Sequence, residues 1–113
     1  MSRSPADILD DITAAIDAIH AHLQFGPITM GIVMDAVAMR LLEIGEAVKA
    51  LNPELTAREP QIPWTSIAGM RDFLAHHYFA TNPEIVQAVI DKDLPLLTEA
   101  VTRLRRTISG DCS

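Results

Sequence analysis

Ile8, Ile12, Ile16, Ile19 and Leu23 recur every three or four residues, the interval that places side chains on one face of an α-helix. Ser4-Pro5-Ala6-Asp7 supplies the start. Ser4 suits the N-cap, Pro5 the first helical position, and Asp7 the positive first turn. Phe25-Gly26-Pro27 ends this helix. A second pattern is more regular. Met30, Met34, Val37, Leu41, Ile44, Val48 and Leu51 alternate steps of four and three, an a/d seam over three heptads. Such a seam either lines a bundle core or also packs on a second copy. Gly45 costs about 1 kcal/mol inside a helix. Either a close approach of another helix or chance accounts for it. Asn52-Pro53 closes the helix.

Residues 53–63 carry Pro53, Pro60 and Pro63 among polar neighbours and read as a loop of a length that often serves function. Ile62-Pro63-Trp64 opens a third helix, with Pro63 in its first turn and Ile67, Met70 and Leu74 inward. Trp64 is expected to anchor it in the core. Thr81-Asn82-Pro83-Glu84 stops that helix and starts a fourth, with Asn82 as N-cap and Ile85, Val86, Val89 and Ile90 as its apolar residues. Asp93-Leu94-Pro95 starts a fifth, through Leu97, Val101, Leu104 and Ile108. No stretch alternates as a strand would, and nothing repeats. The pattern predicts one domain, residues 1–113, folded as an all-α, up-and-down bundle of about five helices.

Composition narrows the function classes. Hydrophobic residues make up 49% and aromatics 4%, which favours helices. A net charge of −6 argues against a general nucleic-acid binder while leaving room for a local basic patch. The single cysteine, Cys112, cannot build a disulfide framework and is compatible with a reducing compartment. The N-terminus lacks an apolar signal core, and no run approaches a membrane span. A cytoplasmic protein is expected.

The chemistry concentrates in Arg71, Asp72, His76, His77 and Tyr78, inside an otherwise apolar segment. An arginine that forks onto phosphate oxygens, a histidine that titrates near neutrality and a phenol suit work on a phosphate. Arg71 and Tyr78 are seven apart and nearly on one helical face. Asp72 and His76, four apart, also share a face, so Asp72 could orient His76. Arg71 and His76 are about 140° apart. They converge if Arg71 reaches around, if the helix distorts near His76, or if a second subunit completes the site. A two-fold axis past this helix would gather two arginines and two histidines into one cleft. That cleft suits metal-free RNA cleavage. One histidine takes the 2′-hydroxyl proton, the other protonates the leaving 5′ oxygen, and the arginines stabilise charge on phosphorus oxygens. The plainer alternative is an ion pair or a solvated helix edge.

Other candidates are weaker. Arg103, Arg105 and Arg106, with Arg40, could form a basic surface that holds RNA. Basic residues also simply favour the negative end of a helix. Glu43 and Glu46 share a face but lack the Glu-x-x-His partners of a di-iron bundle. Glu46 could instead brace the site. His20 and His22, two apart, do not share a face. No metal site and no cofactor is expected. No glycine-rich phosphate loop occurs, nor the Gly-Ser pattern with paired aspartates of a nucleotidyltransferase.

Arg71-x4-His76-x-Tyr78 resembles the Arg-x4-His-x-Tyr motif of HepT-like proteins of the HEPN group. Ile44-Gly45-Glu46-Ala47 is similar to that family's Gly-Glu-Ala segment, and Ile62-Pro63-Trp64 through Asp72 resembles its approach to the motif. The likeness covers roughly residues 8–105. It implies an all-helical homodimer with the motif at the dimer interface. It further implies a ribonuclease toxin of a type VII-like toxin–antitoxin pair, partnered by a minimal nucleotidyltransferase that transfers AMP to the motif tyrosine. On that resemblance Arg71 and His76 are the catalytic pair and Tyr78 the AMP acceptor. His77 falls at a variable position and is given no catalytic role. The rival reading is a non-catalytic subunit that presents a nucleotide or another substrate to the nucleotidyltransferase, with Arg71 holding a phosphate.

Overall fold

The computed structural model describes residues 3–108, all of its regular structure helical. Cys112 lies outside the described residues. Helix α1 (Pro5–Leu23) starts as its sequence dictates, with the Ser4 Oγ accepting from the Asp7 amide at 3.1 Å. Helix α2 (Gly31–Ala50) packs against both α1 and α4 (Trp64–His77). A single-turn helix, α3 (Pro53–Thr56), separates α2 from α4. The chain then forms a 3-10 turn (Tyr78–Ala80), α5 (Pro83–Ala88), a π-helical turn (Val89–Asp93) and α6 (Leu94–Ile108), and α6 returns to α1. The result is an up-and-down bundle with α2 at its centre. Among the described residues, no helix is long and apolar enough to cross a membrane.

The a/d seam of α2 is core. Met34, Val37, Leu41, Ile44, Val48 and Leu51 are buried, together with Leu9, Ile12 and Ile19 of α1 and Leu97, Val101 and Leu104 of α6. Each such side chain contributes roughly 1.5–3 kcal/mol over its exposed state. Only Met30, the first member of the seam, is open to solvent, because it stands at the N-cap. Trp64 is half-buried against the core, and its indole N–H donates to the Glu59 carbonyl at 3.0 Å.

Two sequence expectations need correction. Residues 53–63 are not all loop. Asn52 caps α3 by accepting from the Glu54 amide at 2.8 Å, just as Asn82 caps α5 by accepting from Glu84 at 2.8 Å. Both caps are Asn-Pro-Glu, and the burial of Leu55 fixes the first turn to the core. The fourth and fifth helices are also not separate. They join through the π-turn, where the Leu94 amide reaches the Val89 carbonyl. Pro95 has no amide, and in a regular helix its ring would press on the Asp91 carbonyl. The wider turn just before it relieves that clash.

Candidate active site

Gly45 sets how closely α2 and α4 approach. A Cβ placed there would stand 2.5 Å from the Arg71 Cβ and 3.2 Å from both the Arg71 amide nitrogen and the Ile67 carbonyl. The glycine thus lets the arginine's backbone rest directly on α2. One residue on, the Glu46 Oε2 meets the Arg71 Nε at 3.0 Å. The Arg71 Nη1 lies 3.1 Å from the Asp72 Oδ1, which also accepts from the Lys49 Nζ at 3.0 Å. Glu46, Arg71, Asp72 and Lys49 therefore form one chain of alternating charge across the two helices. Lys49 first, then Arg71, holds the Asp72 carboxyl below its ordinary range. Asp72 accordingly serves Lys49 and Arg71, not His76 as its spacing suggested.

Helix α4 ends at the motif. His76 and His77 occupy its last turn, where basic side chains suit the helix dipole. The backbone leaves helical geometry at His77, with φ −131° and ψ 26°. The helix therefore does distort, but one residue beyond His76. His76 is exposed and has no hydrogen bond or ion pair among the described residues. The His77 ring instead packs on Phe73, with centroids 5.4 Å apart. Tyr78 turns back towards α2 within the 3-10 turn. That turn is fastened by the Thr81 amide to the Tyr78 carbonyl and by the Thr81 hydroxyl to the His77 carbonyl, both at 3.0 Å. The Tyr78 hydroxyl donates to the Asp35 carboxylate.

Neither Asp35 nor Lys49 was picked out from the sequence. A signal for Asp35 was present. It is the only acidic residue in the apolar first half of α2, and it stands eleven residues, three turns, before Glu46 on the same face. Arg71 and Tyr78 are likewise matched on one face of the α4 segment. The two carboxylates of α2 thus meet the two motif residues. Lys49 carries no comparable signal, because lysines on solvated helix faces are ordinary.

The other candidate residues lie outside this network. The Arg40 Nη1 pairs with the Glu43 Oε1 at 2.7 Å, so Glu43 and Glu46 serve different arginines. Arg40, Glu43 and Glu46 line a groove of about 500 Å³ between α1 and α2. Arg103 forks onto the buried Glu59, with its Nη2 2.6 Å from Oε1. Arg105 pairs with Asp10 at 3.0 Å, and Arg106 sits beside it in the last turn of α6. Arg40, Arg103 and Arg105 are each neutralised locally and do not join Arg71 in one basic surface.

Several large apolar side chains of α2 and α4 are exposed. Ile32 is 80%, Met39 51% and Phe73 44% exposed.

Comparison with known proteins gives a consistent result. The family model described as "Ribonuclease HepT-like" matches residues 10–104. A protein of Thermococcus cleftensis named a probable ribonuclease HepT is 33% identical over 110 residues, covering 94% of this chain and all of the relative. A protein of Methanocaldococcus jannaschii provisionally named an RNase is 37% identical over 76 residues, 67% of this chain and 63% of the relative. Another, from Caldanaerobacter subterraneus subsp. tengcongensis, is 42% identical over 73 residues, 64% of this chain and 65% of the relative. The alignments with these last two span less than two thirds of their length. No solved structure matches the chain at a comparable level.

Proposed function

Because the chain belongs to the ribonuclease HepT-like family, we propose that it is a metal-independent endoribonuclease, the toxin of a toxin–antitoxin pair, whose site is completed by a second copy. The observation that carries this reading is the state of the two motif residues. Arg71 is fixed on α2 by Gly45 and Glu46, while His76 projects free into solvent at the end of α4. A fixed cation and an uncommitted histidine that do not touch within one chain suit a cleft between two chains. Ile32 and Met39, seven residues apart on one face of α2, and Phe73 of α4 are exposed and suit burial against a second copy.

In that cleft one His76 takes the proton of a ribose 2′-hydroxyl. The freed oxygen bonds to the adjacent phosphorus, the bond to the 5′ oxygen breaks, and the second His76 protonates the leaving oxygen. Arg71, whose Nη2 has no partner among the described residues, stabilises the charge on the non-bridging oxygens. The products are a 2′,3′-cyclic phosphate and a 5′-hydroxyl. A minimal nucleotidyltransferase acts as the antitoxin in the cytoplasm by adding AMP to Tyr78. The added phosphodiester and adenosine neutralise Arg71 and fill the RNA path.

RNA cleavage by the purified chain is expected to persist in EDTA, to leave the cyclic phosphate, and to vanish in Arg71→Ala and His76→Ala. Undiminished cleavage by His76→Ala would sink the mechanism. The rival, a non-catalytic nucleotide-presenting subunit, draws support from the two carboxylates already on Arg71. Expression alone in a bacterial host separates the readings, since only a toxin arrests growth.

A further inference from the structure

We propose that Asp35 is the general base for Tyr78, taking the phenolic proton as the tyrosine accepts a nucleotidyl group. This rests on the reading of Tyr78 as the acceptor. Asp35 and Tyr78 are 43 residues apart in sequence and meet only because α2 and α4 pack together. The contact joins the reacting oxygen itself to a carboxylate.

A phenol is neutral near pH 7 and a weak nucleophile until a neighbouring group removes its proton. Asp35 differs from the other carboxylates of the site in what it faces. Glu46 is held by Arg71, Asp72 by Lys49 and Arg71, and Glu43 by Arg40. Asp35 has no cation partner among the described residues and receives the tyrosine hydroxyl. It is therefore the carboxylate placed to receive the phenolic proton. Asp35 is also exposed, so a proton it accepts passes directly to water.

The step balances with ATP on the nucleotidyltransferase as donor. The Tyr78 oxygen bonds to the α-phosphorus. The bond from that phosphorus to the α–β bridging oxygen breaks, and pyrophosphate leaves. The phenolic proton moves to the Asp35 carboxylate and then to solvent.

The test uses the full chain, a minimal nucleotidyltransferase of the proposed antitoxin class and α-labelled ATP, with melting curves to establish that each variant is folded. Asp35→Asn preserves the size and an acceptor oxygen but is not a base. It is expected to lower the maximal rate of AMP transfer by about 10²–10⁴-fold while leaving the half-saturating ATP concentration unchanged. Asp35→Glu is expected to recover part of the rate, and Tyr78→Phe to take no label. Wild-type transfer by Asp35→Asn, with none by Tyr78→Phe, overturns the role of Asp35 and leaves Tyr78 as the acceptor. A raised ATP requirement at an unchanged maximal rate overturns it equally, since it would mark a purely positional role. Full labelling of Tyr78→Phe, or none of the wild type, overturns the tyrosine reading and this inference together.

Discussion

Glu59 is a charged side chain held inside the bundle, where an unpaired carboxylate would be costly. The Arg103 hydrogen bonds lower its pKa against the opposing effect of burial. A carboxyl depressed in the folded state stabilises above its unfolded pKa of about 4.3, and that stabilisation is lost as pH falls through the folded value. The gap in melting temperature between the wild type and Glu59→Gln is therefore expected to hold constant near neutrality and to narrow below about pH 4. Arg103→Ala is expected to lower the melting temperature more than Arg105→Ala. The reason is that Glu59 is 11% exposed and its counterpart Asp10 59%. Equal shifts would show that burial does not distinguish the two pairs. At this scale the sequence shows residue types but not partners. Arg71, His76 and Tyr78 could be singled out as candidates because their spacing is local. The assignments of Arg103 to Glu59, Asp72 to Lys49 and Tyr78 to Asp35 depend on which helices meet, which no single segment encodes.

Capping was largely legible at the level of elements, because Ser4 and Asn82 act through neighbours two or three residues away. Asn52 has the same motif as Asn82 but was read as an ending, since three prolines nearby suggested a loop. The π-turn escaped because Pro95 looks like a fresh start when it is a flaw accommodated within a continuing helical path. Gly45 was legible as an anomaly, and the packing of Arg71 supplies its cause. Gly45 and Gly69 make a controlled pair, both inside helices. A Cβ at Gly69 meets nothing within 4 Å. Gly69→Ala is therefore expected to stabilise by about 0.5–1 kcal/mol. Gly45→Ala gains similar helix propensity but forces α2 from α4, an overpacking cost of about 1–3 kcal/mol. Urea unfolding reads both, and stabilisation by both would refute the close-approach explanation. Gly45→Ala should also displace Arg71, and a shift of about 1 Å is enough to cut cleavage about 10²-fold.

A bundle of this size buries its core completely and still leaves Ile32 and Met39 of α2 and Phe73 of α4 in water. The a/d seam does not mark them, because it faces inward while Ile32 and Met39 lie on another stripe of α2 and Phe73 lies on α4. Within one chain Arg71 is bound to Glu46 and Asp72, and His76 stands apart from it. A cleft that needs His76 of both copies predicts that a mutant copy poisons its partner. In an equal, co-expressed mixture of wild-type and His76→Ala chains, random pairing leaves about a quarter of the dimers with both histidines, so cleavage should fall to about a quarter of the all-wild-type value. Chains that use only their own arginine and histidine would keep about half. Met39→Asp adds a charge at an exposed apolar position of α2. It should leave the helical content intact, reduce the species in sedimentation to a monomer, and abolish cleavage. Cleavage that survives in a monomer would exclude the composite site.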